Sequence, residues 1–359
     1  MNRLTRILLL TSMLSALALP ALAADMAMDM SAGKAANAAE ASRDAGAATM
    51  KAKPSHGPGQ TRTATGSRGV LDDENAMLKA FTVIERSHDG AQRTLEPPAA
   101  VIDAIKGEKK AENGKAAPQG AADPDAEASR DVIGADNRIR VTSTKKYPYD
   151  VVGLIETIHS KTNTTYDCTA ALIGPKTIIT AARCVYDHGL EGNWMDKLTF
   201  WPGINGENDI PYGSYDWANM WVFEGFIQKY DGTYDSVWPY DVALIELAEP
   251  AGDSLGYLGY DSYPNMGDFQ GNLVGYQSDK EAWTQWRSVC DVVTENLTDQ
   301  DFTHDCDADS WSVGAPIYVY DSADKSRRIV GLEMGPLGNV NWALRISDPI
   351  FQWIGTLNQ

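Results

Sequence analysis

The chain has 359 residues and a formal net charge of −18 at pH 7. From residue 132 onward it carries 15 Lys and Arg against 32 Asp and Glu, so this part alone has a formal charge of −17. A surface of that sign argues against nucleic acid or an anionic membrane as the partner. All ten Trp and all fifteen Tyr lie after residue 131, which leaves the first third of the chain with little aromatic material for a core.

The first 23 residues have the pattern of a secretory signal peptide. Arg3 and Arg6 precede an apolar run over residues 7–19, and Ala21-Leu22-Ala23 is a small-residue cleavage site. The apolar run is too short for a membrane anchor, and no later segment approaches the roughly 20 apolar residues of a spanning helix. We therefore predict cleavage after Ala23 and a protein that is secreted or periplasmic, where disulfides can form.

Residues 24–131 are predicted to be a low-complexity, propeptide-like region that ends in a linker. The part before residue 68 is rich in Ala, Gly, Lys, Met and Ser, which predicts disorder. Apolar residues between 70 and 84 favour one helix or a strand, and residues 101–105 favour a second short helix. Residues 107–130 are predicted to be the linker.

From residue 132 to the end, short apolar runs alternate with Gly, Pro, Asn and Asp, a pattern typical of all-β proteins. Residues 349–357 suit a short amphipathic helix that packs on the sheets. The clearest predicted strands are residues 151–158, 197–201, 219–223, 242–247, 272–276, 315–320, 329–333 and 342–346.

Cys168 and Cys184 flank two β-rich runs that meet at a Gly174-Pro175 turn, which predicts a hairpin with a cysteine at each outer end. Four cysteines allow three pairings, and the count alone does not choose among them. A metal site is the weaker alternative, because Cys-x-x-Cys and His-x-x-x-His spacings are absent, and we predict no metal and no cofactor. The acids of residues 299–309 begin like a calcium loop, but Ser310 stands where that loop needs glycine, so a solvated acidic loop is favoured.

Five motifs, in family order, resemble the trypsin-like serine proteases and in particular their glutamyl endopeptidase branch. They are Thr180-Ala181-Ala182 before Cys184, Tyr240-Asp241-Val242-Ala243-Leu244, Gly275-Tyr276 with Asp279-Lys280 and Trp286, Ser310-Trp311-Ser312-Val313-Gly314-Ala315-Pro316 after Cys306, and Val330-Gly331-Leu332 before Gly335. The resemblance implies two six-stranded antiparallel β-barrels and the disulfides Cys168–Cys184 and Cys290–Cys306. It also implies a protease domain over residues 132–359. Val132-Ile133-Gly134 resembles the start of the mature chain in that branch, with an uncut interdomain linker as the alternative.

The resemblance implies a Ser-His-Asp triad, but two of its three positions are altered. Arg183 stands where the family has its histidine, and a guanidinium cannot take up a proton as a neutral imidazole does. Val313 stands where the family has its serine, and valine has no nucleophilic atom. Asp241 matches the aspartate that orients the histidine. We therefore expect an ion pair between Arg183 and Asp241 that fills the site.

Two further positions depart from the pattern that the resemblance implies. Trp311 stands where the family keeps a glycine of the oxyanion hole, which Trp311 and Val313 would have to form here. Glu333 stands where the glutamyl branch has the histidine that meets the substrate's acidic side chain, and a carboxylate would repel it. The sequence thus predicts a catalytically inactive homologue, not an enzyme, that binds an unknown protein or peptide through its former cleft or an exposed aromatic surface.

Two alternatives stay open. The chain is an active hydrolase if a displaced nucleophile, Ser312 or Ser310, meets His188 or His304 as the base. Ser312 is one residue away from the expected position, so on an extended chain its side chain points the other way. The other alternative is a structural component of the cell envelope whose N-terminal region makes the contacts.

Overall fold

The computed structural model describes residues 74–107, 118–121, 123–124, 136–191, 193–263, 265–337 and 340–358. The predicted signal peptide at residues 1–23 and the predicted Val132-Ile133-Gly134 junction lie outside these ranges. Within them the protein is mostly β, which confirms the predicted all-β class.

One sheet contains a closed barrel. Its strands are β1 (Val83–Ser87), β2 (Gln92–Leu95), β4 (Val152–His159), β5 (Thr164–Leu172), β6 (Thr177–Thr180), β7 (Lys197–Pro202), β8 (Tyr215–Phe223) and β9 (Ala243–Leu247). They run in the order β2-β1-β8-β7-β4-β5-β6-β9, and β8 also pairs with β9. This last pairing closes β4 to β9 into a six-stranded antiparallel barrel, called here the first barrel.

The second sheet is built mainly from the C-terminal half of the chain, with one short strand from residues 139–140 at its edge. Its strands are β3 (Ile139–Arg140), β10 (Gly259–Tyr260), β11 (Phe269–Tyr276), β12 (Gln285–Val292), β13 (Asp301–His304), β14 (Pro316–Asp321), β15 (Ser326–Leu337) and β16 (Val340–Arg345). The order is β13-β16-β15-β14-β11-β12-β3, and β10 pairs with β15 in parallel. All eight predicted strands overlap observed ones, whereas β12 was missed because Arg287, Ser288 and Asp291 interrupt its apolar pattern.

The predicted C-terminal helix is present as Asp348–Leu357. Its buried face carries Ile350, Trp353 and Ile354, at the spacing of three and four residues that places side chains on one side of a helix. The Trp353 ring lies 4.3 Å from that of Phe223 at the end of β8, so this helix packs on the first barrel.

Residues 74–107 are part of the folded core. Helix α1 (Glu74–Ala80) leads into β1, and α2 (Ala99–Ile105) follows β2, so both a helix and a strand form where one or the other was predicted. Strand β1 pairs antiparallel with β8, from Val83 opposite Phe223 to Ser87 opposite Asn219. The buried Phe81 ring lies 4.8 Å from the ring of Phe223, which anchors this segment on the first barrel.

The described residues of the predicted linker are also packed. The Gln119 carbonyl accepts a hydrogen bond from the Gln270 N–H at 3.0 Å, which adds this segment to the edge of β11. Asp123 is fully buried, and its carboxylate accepts two hydrogen bonds from Arg327 at 2.5 and 2.6 Å. The linker prediction is therefore wrong for residues 118–121, 123 and 124, because a buried ion pair fixes them to the second sheet. The domain boundary at residue 131 stays a prediction.

Both predicted disulfides, Cys168–Cys184 and Cys290–Cys306, are formed. The first ties β5 to the turn after β6, and the second ties β12 to the segment after β13. Among the described residues, every helix is too short or too polar to cross a bilayer.

Candidate functional site

Strands β6 and β9 bring Arg183 and Asp241 together. Thr180, the last residue of β6, is opposite Ala243, the first residue of β9, in an antiparallel pair. The chain leaving β6 and the chain entering β9 therefore lie at the same edge of the first barrel. Arg183 follows in the 3₁₀ turn Ala182–Cys184, which the Cys168–Cys184 disulfide holds against β5.

Arg183 and Asp241 form a buried ion pair, as predicted. The Arg183 Nε donates to Asp241 Oδ2 at 2.5 Å, and the backbone N–H of Arg183 donates to Oδ1 at 3.0 Å. The two side chains are 5% and 0% exposed. The guanidinium also lies 4.2 Å from the Tyr234 ring, a cation–π contact, and reaches the Met334 carbonyl of β15 at 3.5 Å. Arg183 thus links the first barrel to the second sheet and offers only hydrogen-bond donors.

Val313 lies on a tightly fixed loop, and its carbonyl oxygen is 3.9 Å from the Sγ of Cys184, the residue after Arg183. It follows the 3₁₀ turn Ser310–Ser312, it is 6% exposed, and its carbonyl accepts the Thr169 N–H at 3.0 Å. Gly314 has φ +83°, and a Cβ there would lie 2.8 Å from the Ala181 nitrogen. Only glycine fits that position, so the backbone conformation of the loop is fixed. The side chain at position 313 therefore decides which chemical group this loop presents.

Trp311 covers the outer face of the first barrel. Its carbonyl accepts the Thr169 hydroxyl at 2.9 Å, and its indole packs against the cluster that contains Leu154, Trp201 and Tyr276. The indole therefore occupies a hydrophobic contact in this loop, at the position where the resemblance implied a glycine.

The side chain of Glu333, a residue of β15, is buried and contacts His304 of β13. One of its carboxylate oxygens lies 2.8 Å from His304 Nε2, and both side chains are fully buried. The other oxygen accepts the Gly335 N–H at 2.8 Å. The carboxylate is thus fully buried, and the assignment of Glu333 to the specificity-pocket position stays a prediction.

The serines and histidines of the alternative site have other partners. The Ser312 hydroxyl is buried and donates to the Asp309 carbonyl at 2.5 Å, while that of Ser310 pairs with Ser278 at 2.8 Å. His188 stacks on Tyr230 with ring centroids 3.9 Å apart, and its burial lowers its pKa. His304 contacts Glu333, so neither histidine occupies a base position beside Ser310 or Ser312.

The predicted acidic loop is only partly solvated. Asp309 caps the turn Ser310–Ser312 by accepting the Ser310 N–H at 2.6 Å, and an Asp307 oxygen accepts the Asn137 N–H at 2.7 Å. The Asp309 carboxylate thus binds the backbone of its own loop, and the Asp307 carboxylate binds the backbone of the segment before β3.

Aromatic side chains close the space above the ion pair, and the sequence analysis did not identify them. Trp238 stacks on Trp342 of β16 at 3.7 Å between ring centroids, which joins the first barrel to the second sheet. Arg183 lies 5.7 Å from the Trp342 ring and beneath Tyr234. The many Tyr and Trp between residues 230 and 240 were a signal for this cluster. Arg183, which Tyr234 contacts, is distant from them in sequence.

A pair of carboxyl groups lies on the barrel face beside Trp311. Glu156 of β4 is directly opposite Asp167 of β5 in the antiparallel register. Side chains opposite each other share one face of a sheet, so the two acids are neighbours. Burial and the nearby Glu156 carboxylate raise the pKa of Asp167 to about 7.

We expect Asp167→Asn to stabilise the protein above neutral pH. A folded-state pKa of about 7 against an ordinary value of 3.8 means that the folded state holds this proton more tightly than the unfolded state. The stabilisation of the folded state by this tightly held proton is complete below pH 4 and is lost as the pH rises toward 7. The variant should therefore match the parent at pH 4 and exceed it by about 4 kcal/mol in free energy of unfolding at pH 8. Urea unfolding at both pH values measures this, and a variant less stable than the parent at pH 8 would contradict it.

The barrel, the second sheet, the two disulfides and the site between them define a trypsin-like serine protease fold. Residues 147–303 match the protein-family model described as Trypsin, a span that includes Arg183 and Asp241 and ends before Val313. This part of the chain is similar to the trypsin-like serine proteases, which confirms the predicted resemblance.

Two curated Bacillus proteins are similar to the chain. The "Extracellular metalloprotease" of Bacillus subtilis is 28% identical over 228 residues, 61% of this chain and 67% of that protein. The "Glutamyl endopeptidase" of Bacillus licheniformis is 38% identical over 162 residues, 44% of this chain and 46% of that protein. The chain therefore spans about half the length of the second relative. A solved structure described as "Structure of Glu endopeptidase in complex with MPD" matches with a TM-score of 0.54 at 23% identity, over 63% of this chain and 99% of that one, which supports the fold.

The prediction that the chain is not an enzyme is wrong. The matched family is that of trypsin, and a relative 38% identical over the aligned part is named an endopeptidase. The prediction generalised from two substituted positions, Arg183 and Val313, to the whole protein. The likeness to these peptidases rests instead on the scaffold.

Proposed function

We propose that the chain is a secreted protease homologue in which Arg183, Asp241 and Val313 join the two halves of the fold, while a polypeptide binds beside them. The observation that carries this proposal is the buried ion pair, with 2.5 Å between Arg183 Nε and Asp241 Oδ2. The Ser-His-Asp reaction needs a proton acceptor and a hydroxyl at these positions, and the three side chains provide neither.

Polypeptide binding is supported by the retained scaffold and by charge. The formal charge of −17 after residue 131 favours a cationic ligand over an acidic one. Selectivity for glutamate, the residue named for one relative, has no support here, because Glu333 is buried against His304. Secretion is supported by the two disulfides and by the word "Extracellular" in the name of the other relative.

A second candidate function is hydrolysis by another serine, which the endopeptidase name of the relative favours. Its nucleophile would be Ser312 or Ser310. Against it stand the hydrogen bond of Ser312 to the Asp309 carbonyl at 2.5 Å and that of Ser310 to Ser278 at 2.8 Å.

A fluorophosphonate probe separates the two candidates, because it labels serines that a neighbouring base activates. If the protein stays unlabelled at pH 7–8 while trypsin in the same reaction is labelled completely, the binding function is supported. Mass spectrometry of the peptides that contain Ser310 and Ser312 reads the result. A label on either serine that is lost in Ser312→Ala or Ser310→Ala would reject the proposal in favour of the second candidate.

A further inference from the structure

Two segments before residue 125 pack on the two halves of the fold. Residues 74–107 lie against the first barrel, and residues 118–121, 123 and 124 lie against the second sheet. They are called here the N-terminal segments. All four cysteines lie from residue 168 onward and pair with one another. The N-terminal segments are therefore attached to the rest of the fold through the main chain and through non-covalent contacts, without a disulfide.

Strand β1 of the N-terminal segments completes the pairing of β8. Strand β7 pairs with only the first two residues of β8. Beyond them β1 takes its place, with Ser87 opposite Asn219 and Val83 opposite Phe223. Without β1, the backbone groups on this side of residues 219–223 would form an open sheet edge, which invites pairing with another chain.

Side chains of the same segment are buried against the first barrel. The Phe81 ring lies 4.8 Å from that of Phe223 and 5.5 Å from that of Tyr240, both in edge contact. Glu85 is 6% exposed and accepts the indole N–H of Trp221 at 2.8 Å. Loss of the segment would expose the two rings and take the acceptor from the indole, and both changes are unfavourable.

The second contact is a buried polar network on the second sheet. Asp123 accepts two hydrogen bonds from Arg327 and one from the Tyr318 hydroxyl at 3.0 Å. The Asn272 side chain donates to the Ala121 carbonyl at 3.1 Å, and its oxygen accepts the Asp123 N–H at 3.0 Å. Buried, charge-assisted bonds of this kind are stronger than those at an exposed surface. They also require one particular carboxylate, so they fit this segment specifically.

We propose that the N-terminal segments are a docked partner of the rest of the fold and stay bound to it, as a separate chain, when the connection between residues 124 and 136 is cut. The predicted junction at Val132 lies inside this interval. A cut there gives a two-chain protein with a closed β8 edge instead of a released propeptide. Because one chain makes both contacts, the release of one contact leaves the other in place, which slows dissociation. This two-chain form does not depend on the proposed function.

The test is a cut made in the folded full-length protein. A recognition sequence for a viral 3C protease, flanked by glycines, is inserted after Arg130, and mass spectrometry verifies complete cleavage. We expect both fragments to elute together from a size-exclusion column at ~1 µM, at the volume of the uncut protein, because two separate contacts hold them.

Two variants remove one contact each. Phe81→Ala and Asp123→Ala should each raise at least ~10-fold the concentration at which half of the N-terminal fragment separates. Asp89→Ala is the matched control, because the Asp89 carboxylate accepts hydrogen bonds from Ser87 and Ala91 of its own segment. It should retain the fragment as the parent does. Each variant is cut after its far-UV circular dichroism matches that of the parent, and either variant alone is sufficient.

Two outcomes contradict the inference. Separate elution of the N-terminal fragment from the cut parent overturns it, whether the larger fragment then stays monomeric or associates through its open β8 edge. Equal retention in Phe81→Ala, Asp123→Ala and Asp89→Ala also overturns it, because the buried ring and carboxylate would then not be what holds the two chains together.

Discussion

Arg183→Met is expected to lower the free energy of unfolding by about 3–5 kcal/mol, because it leaves the Asp241 carboxylate buried and without its cation. The side chains of the pair are 5% and 0% exposed, so water cannot replace the lost hydrogen bonds. The variant also loses the contact with the Met334 carbonyl, which joins the first barrel to the second sheet. Equilibrium unfolding in guanidinium chloride, followed by tryptophan fluorescence, measures the change.

The matched control is Lys161→Met, which removes an ion pair with Glu191 of 3.2 Å between exposed side chains. Such a pair contributes about 1 kcal/mol or less. The double variant Arg183→Met with Asp241→Asn should lose less stability than Arg183→Met alone, because no buried charge remains. If Arg183→Met costs no more than the control, the ion pair has no structural role of the kind described here.

Asp123→Ala is expected to cost a similar amount, about 3–5 kcal/mol, because the buried Arg327 would lose both of its charge-assisted hydrogen bonds to Asp123. Asp123 accepts hydrogen bonds from Arg327 at 2.5 and 2.6 Å and from the Tyr318 hydroxyl at 3.0 Å. Its backbone N–H donates to Asn272 at 3.0 Å, so the variant should also loosen the segment around residue 119. Hydrogen exchange at the Gln270 amide, which donates to the Gln119 carbonyl, reports that loosening directly.

For this variant the control is Asp209→Ala, whose ion pair with Lys145 at 3.2 Å lies between exposed side chains. We expect that change to cost about 1 kcal/mol or less and to leave the Gln270 amide as protected as in the parent. Unaltered exchange at Gln270 together with a small stability loss in Asp123→Ala would mean that residues 118–124 behave as the linker that the sequence predicted.

The ion pair at the candidate site could be predicted from the sequence because Arg183 and Asp241 each lie next to a motif that fixes their position in the fold. Arg183 precedes Cys184, and Asp241 opens the apolar run that becomes β9. The position of Val313 followed in the same way from Pro316, and the loop with Gly314 at positive φ agrees with that count. Local motifs fix register well because one residue more or less turns a side chain to the opposite face.

The parts that could not be predicted depend on contacts between distant residues. Nothing in the composition of residues 118–124 indicates that Asp123 meets Arg327, which lies 204 positions further along the chain. The burial of Glu333 against His304 and the stack of Trp238 on Trp342 are of the same kind. For such pairs, the sequence gives the identity of each residue but does not indicate which distant residue it will contact in the folded protein.

The sequence by itself determined the all-β class, the likeness to trypsin-like proteases, and the presence of Arg183 and Val313 where a base and a nucleophile are expected. Strand periodicity and the motifs next to the cysteines are local properties of the sequence, so they can be recognised without a structure. The tertiary structure alone decided that residues 74–107, 118–121, 123 and 124 belong to the folded core, that Glu333 faces inward, and that Glu156 and Asp167 share one face. Those outcomes depend on which strands become neighbours, and burial then sets the strength of each charge interaction.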